Sequence, residues 1–147
     1  MTFKQAKSLG LISCTKGKQD YPCKASEMYL ASDLFKKAYR YATKNYSAVA
    51  ILSAKYGLLL PSDKIEPYNM TLKDMSNNEV KEWANKVFEQ IQDKFNFTEF
   101  NKVFFHAGKN YRINLIPRLK PAGLKCEVPL GNMKIGEQKA WYIKHDC

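Results

Sequence analysis

The chain has 147 residues, 45% of them hydrophobic and 13% aromatic, enough to bury a core and too apolar for a disordered segment. Its 24 Lys and Arg outweigh 14 Asp and Glu, a formal net charge of +10, which points either to an anionic partner (nucleic acid, nucleotide or phosphate) or to a plain lysine-rich surface. The four cysteines form no CxxC pair and there are two histidines, so neither a metal centre nor a cofactor is expected. No run approaches the roughly 20 apolar residues of a membrane span, and Lys4 and Lys7 interrupt any leader-like stretch. The expectation is a cytoplasmic protein with reduced thiols and no membrane partner.

In chain order, Ser8 to Ser13 reads as a first strand, with Gly10 leaving room for close packing. Thr15 to Ala25 reads as a loop around Gly17, Asp20 and Pro22. Ser26 or Ser32 caps the next helix; Ser32 and Asp33 lead into its pattern of Leu34, Phe35, Ala38, Tyr39 and Ala42, with Asn45 as its stop. Ser47 to Ser53 is a second, buried strand. Gly57 to Tyr68 reads as a loop, because Pro61, Asp63 and Pro67 exclude a regular helix. Ser76 and Glu79 form a capping-box pattern before Val80, Trp83, Ala84, Val87, Phe88, Ile91 and Phe95, the clearest amphipathic helix in the chain. Phe100 to Phe105 is a third strand, Gly108 to Leu119 a helix, Leu124 to Val128 a fourth strand, and Gly136 to Ile143 a last helix with Ala140, Trp141 and Ile143 as its apolar residues.

Strands alternating with helices imply a single α/β domain: a mainly parallel central sheet of about four strands flanked by helices. In such a sheet the loops that follow the strands gather at its carboxyl edge, where ligands bind. Three of these loops carry the candidate chemistry. Ser13, Cys14, Lys16, Gly17 and Lys18 follow the first strand, where backbone amides and ammonium groups would hold a phosphate or carboxylate. The Cys14 thiol, flanked by lysines, is either a nucleophile or a buried structural thiol. Ser53, Lys55 and Tyr56 follow the second strand; Lys55 is an anion binder or a catalytic amine, or else a solvated loop lysine, and Tyr56 a stacking ring. Gly108, Lys109, Tyr111 and Arg112 follow the third, at the start of a helix suited to an anion. His106 beside them is an acid/base or a structural histidine. Asp63 and Tyr68, in the long loop between, supply a water-orienting carboxylate and a second stacking ring, although an aspartate there is equally a turn-former.

These segments also resemble a known family. Leu11 to Lys18, Met28 to Phe35, Ile51 to Leu58 with Pro61, Pro67 to Leu72, Ala107 to Arg112 and Ile135 to Gln138 together look like the YaaA-like family of bacterial and phage proteins, along nearly the whole chain. A weaker likeness links Ser13 to Lys16 and Ser32 to a domain of archaeosine synthase, a tRNA base-modifying enzyme. The resemblance implies nucleic-acid or nucleobase biology and assigns no catalytic residue.

The resulting expectation is an enzyme acting on a nucleobase, nucleoside or nucleotide, at its N-glycosidic bond. Asp63, Lys55 and Cys14 are its candidate catalytic groups. Ser13, Lys16, Lys18, Ser32, Ser53, Tyr56, Tyr68, Gly108, Lys109, Tyr111 and Arg112 are its candidate ligand-binding groups. The alternatives are a non-catalytic nucleic-acid binder with a DNA-protection role and a phage protein that sequesters a nucleotide.

Overall fold

A computed structural model describes residues 5–147, with side chains from residue 8; Lys4 and the side chain of Lys7 lie outside the described residues. In chain order the first half contains β1 (Gln5–Ser13), β2 (Cys23–Lys24), α1 (Ala25–Met28), α2 (Asp33–Asn45), β3 (Tyr46–Ser53), β4 (Gly57–Leu59) and β5 (Lys64–Ile65). A 3-10 helix (Leu72–Asp74) leads into α3 (Asn77–Lys94), β6 (Lys102–His106), α4 (Lys109–Arg112), α5 (Ile116–Leu119), β7 (Lys125–Glu127) and α6 (Ile135–Lys144).

Five strands form one sheet in the order β4-β3-β1-β6-β7, and β2 pairs with β5 in a small antiparallel ribbon. β3, β1, β6 and β7 run parallel, so the expected mainly parallel α/β sheet is present. With the right-handed crossovers that parallel strands adopt, this order puts α2, between β1 and β3, and α3, between β3 and β6, on opposite faces. The chain first steps outward from β1 to β3 and later returns past β1 to β6. The order therefore reverses between β1 and β6, a topological switch point.

The fifth strand was not expected. Gly57 to Tyr68 reads as a loop in sequence, yet Gly57–Leu59 folds back antiparallel on Ile51 to Ser53. The turn is local in origin. The Ser53 hydroxyl accepts the Tyr56 amide at 3.0 Å, and Gly57 adopts φ 76°, a conformation that favours glycine. Gln90 on α3 then clamps both sides: its Oε1 accepts the Leu58 amide at 2.8 Å and its Nε2 donates to the Tyr56 carbonyl at 3.2 Å.

Two helices also differ from their reading. Gly108 to Leu119 is broken into α4 and α5, because Pro117 has no N–H to continue the ladder and Leu115 bonds back to Arg112 instead. In α6 the buried side chain is Tyr142, whereas Ile143 is 60% exposed. α2 and α3 form as their sequence signals indicate: Ser32 caps α2 through the Phe35 amide, and Ser76 and Glu79 cap each other's backbone at 3.2 and 3.0 Å.

The core runs along β1 and β3, where Leu9, Leu11, Ile12, Ala50, Ile51 and Leu52 are buried. Gly10 matters here because the Tyr46 ring packs against it; a Cβ at residue 10 would collide with that ring. Tyr46 in turn hydrogen-bonds His106 Nε2 at 2.6 Å, and Tyr142 bonds the other ring nitrogen at 2.7 Å. His106 is thus a buried bridge between two phenols, and burial lowers its pKa to about 4.

Candidate functional site

The carboxyl ends of β1, β3 and β6 bring a set of hydroxyl and thiol groups together. The Cys14 amide extends the sheet pairing to the Leu52 carbonyl at 2.8 Å, which fixes the thiol just beyond β1. Its Sγ lies 3.1 Å from the Tyr111 hydroxyl on α4. At the end of β3, Ser53 Oγ donates to the Tyr68 hydroxyl at 2.8 Å, and Tyr68 shares a 2.6 Å hydrogen bond with Tyr29. The Trp83 indole donates to the Ser53 carbonyl at 2.9 Å and packs edge-on against Tyr111, closing the floor from the α3 side.

The electrostatics of this cluster are those of neutral donors. Tyr29 and Ser53 are fully buried and Cys14 nearly so. Burial pushes the Tyr29 phenol up to about 12. Burial raises Tyr68 and Tyr111 as well, and the nearby Cys14 raises both further. All three phenols keep their protons across the neutral range and offer O–H groups to an anion or to developing negative charge. Because Ser53 donates to the Tyr68 oxygen, the Tyr68 proton can point to Tyr29 or to a ligand. Lys18 Nζ stands 4.7 Å from the centre of the Tyr68 ring and brings a positive charge to the rim.

Of the candidates read from sequence, Cys14, Ser53, Tyr68 and Tyr111 meet in this cluster, and Lys18 stands over it. Tyr56 packs edge-on against Tyr68, with Lys55 Nζ 5.3 Å from the Tyr56 ring centre, so both belong to the rim. Ser13 ends β1 beside Cys14 and is half-buried, while Lys16 and Lys109 are exposed.

Other candidates have structural employment. The Asp63 carboxylate accepts the Leu60 amide at 2.8 Å and closes its own turn; no hydrogen bond joins it to the cluster. Ser32 Oγ caps α2. Arg112 donates to the Ala107 carbonyl at 3.3 Å and lies 3.5 Å from the Gly131 carbonyl, tying the loop after β6 to a later turn. Gly17 packs on the start of α2, where a Cβ would stand 3.2 Å from the Ser32 nitrogen. Gly108 caps a helix of only four residues, too short for the anion-binding dipole expected of a longer one.

Sequence reading passed over Tyr29 and Trp83 as site residues. Trp83 lies on the apolar stripe of α3 and reads as core. Tyr29 lies just after α1, beyond the loop read as ending at Ala25, and reaches Tyr68 across 39 residues of chain. Among the described residues, no group of His, Cys, Asp or Glu side chains could hold a metal ion, and no helix is long and apolar enough to cross a membrane.

Residues 9–144 match DUF6884, a family of unknown function, and the chain belongs to that family. No curated protein matches it. Among solved structures, the crystal structure of AF0587, a protein of unknown function, is similar over 96% of this chain with 18% identity and a TM-score of 0.53. The match covers 44% of AF0587, so this chain corresponds to under half of that protein. At this identity the likeness shows a shared fold.

Proposed function

We propose that this DUF6884 protein is an enzyme that binds a nucleoside or nucleotide over the Cys14–Ser53–Tyr68–Tyr111 cluster and hydrolyses its N-glycosidic bond. The observation that carries this reading is the meeting of thiol, hydroxyl and phenol groups from three strand-end loops at the switch point of a parallel sheet, where α/β folds bind ligands. As the glycosidic bond breaks, its electron pair goes to the base nitrogen. The Tyr68 hydroxyl, supported by Ser53 and Tyr29, gives its proton to that nitrogen, so the base leaves neutral; water adds at the sugar carbon, and the proton it loses restores the Tyr68 phenol. Lys18 and Lys55 bring positive charge to the rim of the site, and Tyr56 walls it beside Tyr68. This reading does not use Asp63, one of whose carboxylate oxygens accepts the Leu60 amide. The resemblance to YaaA-like proteins and to a domain of archaeosine synthase supports the same substrate class. The test is incubation with panels of nucleosides, nucleotides and oligonucleotides, read by mass spectrometry. A released base is the expected product; a folded sample that yields none from any panel contradicts the reading.

A second reading, a non-catalytic nucleic-acid binder, is favoured by the distribution of charge. Three ion pairs occur among the described residues, and they involve Lys37, Lys102 and Lys139. Many of the remaining basic side chains, including Lys16, Lys36, Arg40, Lys55 and Lys64, are exposed. That surface would bind phosphate backbones in a salt-dependent way.

A further inference from the structure

We infer that the groove between the 3-10 helix, the first turn of α3 and α4 is a nucleobase subsite that takes the base of a nucleotide whose sugar lies over the Cys14–Tyr111 contact. This deepens the function proposed above and rests on it. The groove is open to solvent along one side and has a volume of about 420 Å³.

Its lining combines three chemistries. Leu72 and Val80 form a buried apolar floor, flanked by Met75 and by Ile113, which is 49% exposed. A planar ring system laid on the exposed half of Ile113 would shield it from water. Asn77, Asn110 and Asn114 add three carboxamides, and among the described residues none of them has a hydrogen-bond partner. Each presents a donor beside an acceptor, the pattern that pairs with the edge of a base. Lys73 and Lys81 complete the rim, are exposed, and take part in none of the ion pairs among the described residues. They suit a phosphate. The exposed face of Ile113, the amide edges and the ammonium groups together fit a nucleotide better than a sugar, which lacks the flat apolar face, or an aliphatic acid, which does not use the amides.

The groove also touches the cluster. The Tyr111 hydroxyl, which faces Cys14, is approached by the Thr71 hydroxyl and the Leu72 backbone, and Leu72 floors the groove. Asn110 is the neighbour of Tyr111 on α4. One ligand can therefore span both.

The test is titration of isotope-labelled protein with 5′-AMP, 5′-CMP and a trinucleotide, followed by nuclear magnetic resonance, for the wild type, Ile113→Glu and Asn110→Leu. The inference expects shifts at Ile113 and at the Asn110 and Asn114 side-chain amides. It expects Ile113→Glu, at an exposed position, to weaken binding roughly tenfold or more, and Asn110→Leu to change the preference between AMP and CMP. Response to the trinucleotide alone would identify the ligand as a unit of a strand, with the subsite retained. If the variants bind as tightly as the wild type and shifts centre on Ser53 and Tyr68, the subsite is overturned and the function proposed above stands. If no probe shifts any resonance of the wild type, both fall.

Discussion

Cys14 and Tyr111 lie 97 residues apart in the chain, yet the Cys14 sulfur sits 3.1 Å from the Tyr111 hydroxyl. The contact joins the loop after β1 to the helix after β6, the two strands between which the sheet reverses its order. Removing the hydroxyl with Tyr111→Phe leaves the ring against Trp83 and takes away the thiol's partner. The expected change in unfolding free energy is small, about 1 kcal/mol. The expected change in the rate of thiol alkylation is larger, since Cys14 loses the group that covers it. Equal alkylation rates in wild type and variant would show that the contact does not control the thiol.

His106 makes stability depend on pH. Its ring is neutral in the fold, with a pKa lowered from 6.5 to about 4 by burial. The unfolded chain binds the proton more readily than the folded one, so the stabilisation is fully present above pH 6.5 and is lost as pH falls toward 4. Across that window the loss approaches about 3 kcal/mol. Protonation also turns both ring nitrogens into donors, so Tyr46 and Tyr142 must both accept. Urea midpoints measured through this window should fall steadily; a flat profile would contradict the buried, doubly bonded ring.

Two glycines are expected to resist substitution for different reasons. Gly10→Ala drives a methyl into the Tyr46 ring and displaces the phenol from His106, at a cost of about 1–3 kcal/mol. Gly57→Ala meets the Gln90 carboxamide and strains a backbone at φ 76°, at a cost of about 1 kcal/mol or more. Gln90→Ala should make Gly57→Ala less costly, because the collision disappears while the strain remains. Thermal unfolding of the three single variants and the double variant measures this directly; strict additivity would mean that Gln90 and residue 57 do not interact.

Much of this architecture is legible in the sequence because its causes are local. Ser32 before Asp33 and the Ser76–Glu79 pair mark helix starts through hydrogen bonds made within three residues. The β4 strand escapes such reading, since its register depends on Gln90, 32 residues beyond Leu58. The same distinction separates the site candidates. Residues at strand ends, such as Cys14 and Ser53, are placed by the parallel sheet itself. Asp63 and Arg112 carry suitable chemistry, but short-range backbone contacts use it, and nothing in their residue type announces that. Tyr29 joins Tyr68 only once α1 is folded against the loop, which no spacing in the chain encodes.

The surface charge gives a salt test. If exposed lysines bind a nucleic-acid backbone, affinity for single-stranded oligonucleotides falls linearly on a logarithmic salt scale, with a slope near 0.7 per phosphate contacted, by roughly the usual single-strand rule. Lys16→Gln with Lys64→Gln should lower that slope by about one to two contacts. Binding that ignores salt would remove the second functional reading.

The most direct test of the site's location compares turnover by the wild type, Tyr68→Phe and Asp63→Asn on the substrate identified by mass spectrometry. Tyr68→Phe deletes the hydroxyl held by Ser53 and Tyr29, and a loss of about 100-fold in kcat is expected. Asp63→Asn keeps an oxygen to accept the Leu60 amide and should turn over within about threefold of the wild type, as expected of a surface polar change. The reverse pattern, with an inactive Asp63→Asn and an active Tyr68→Phe, would contradict the placement of chemistry at the Cys14–Ser53–Tyr68–Tyr111 cluster.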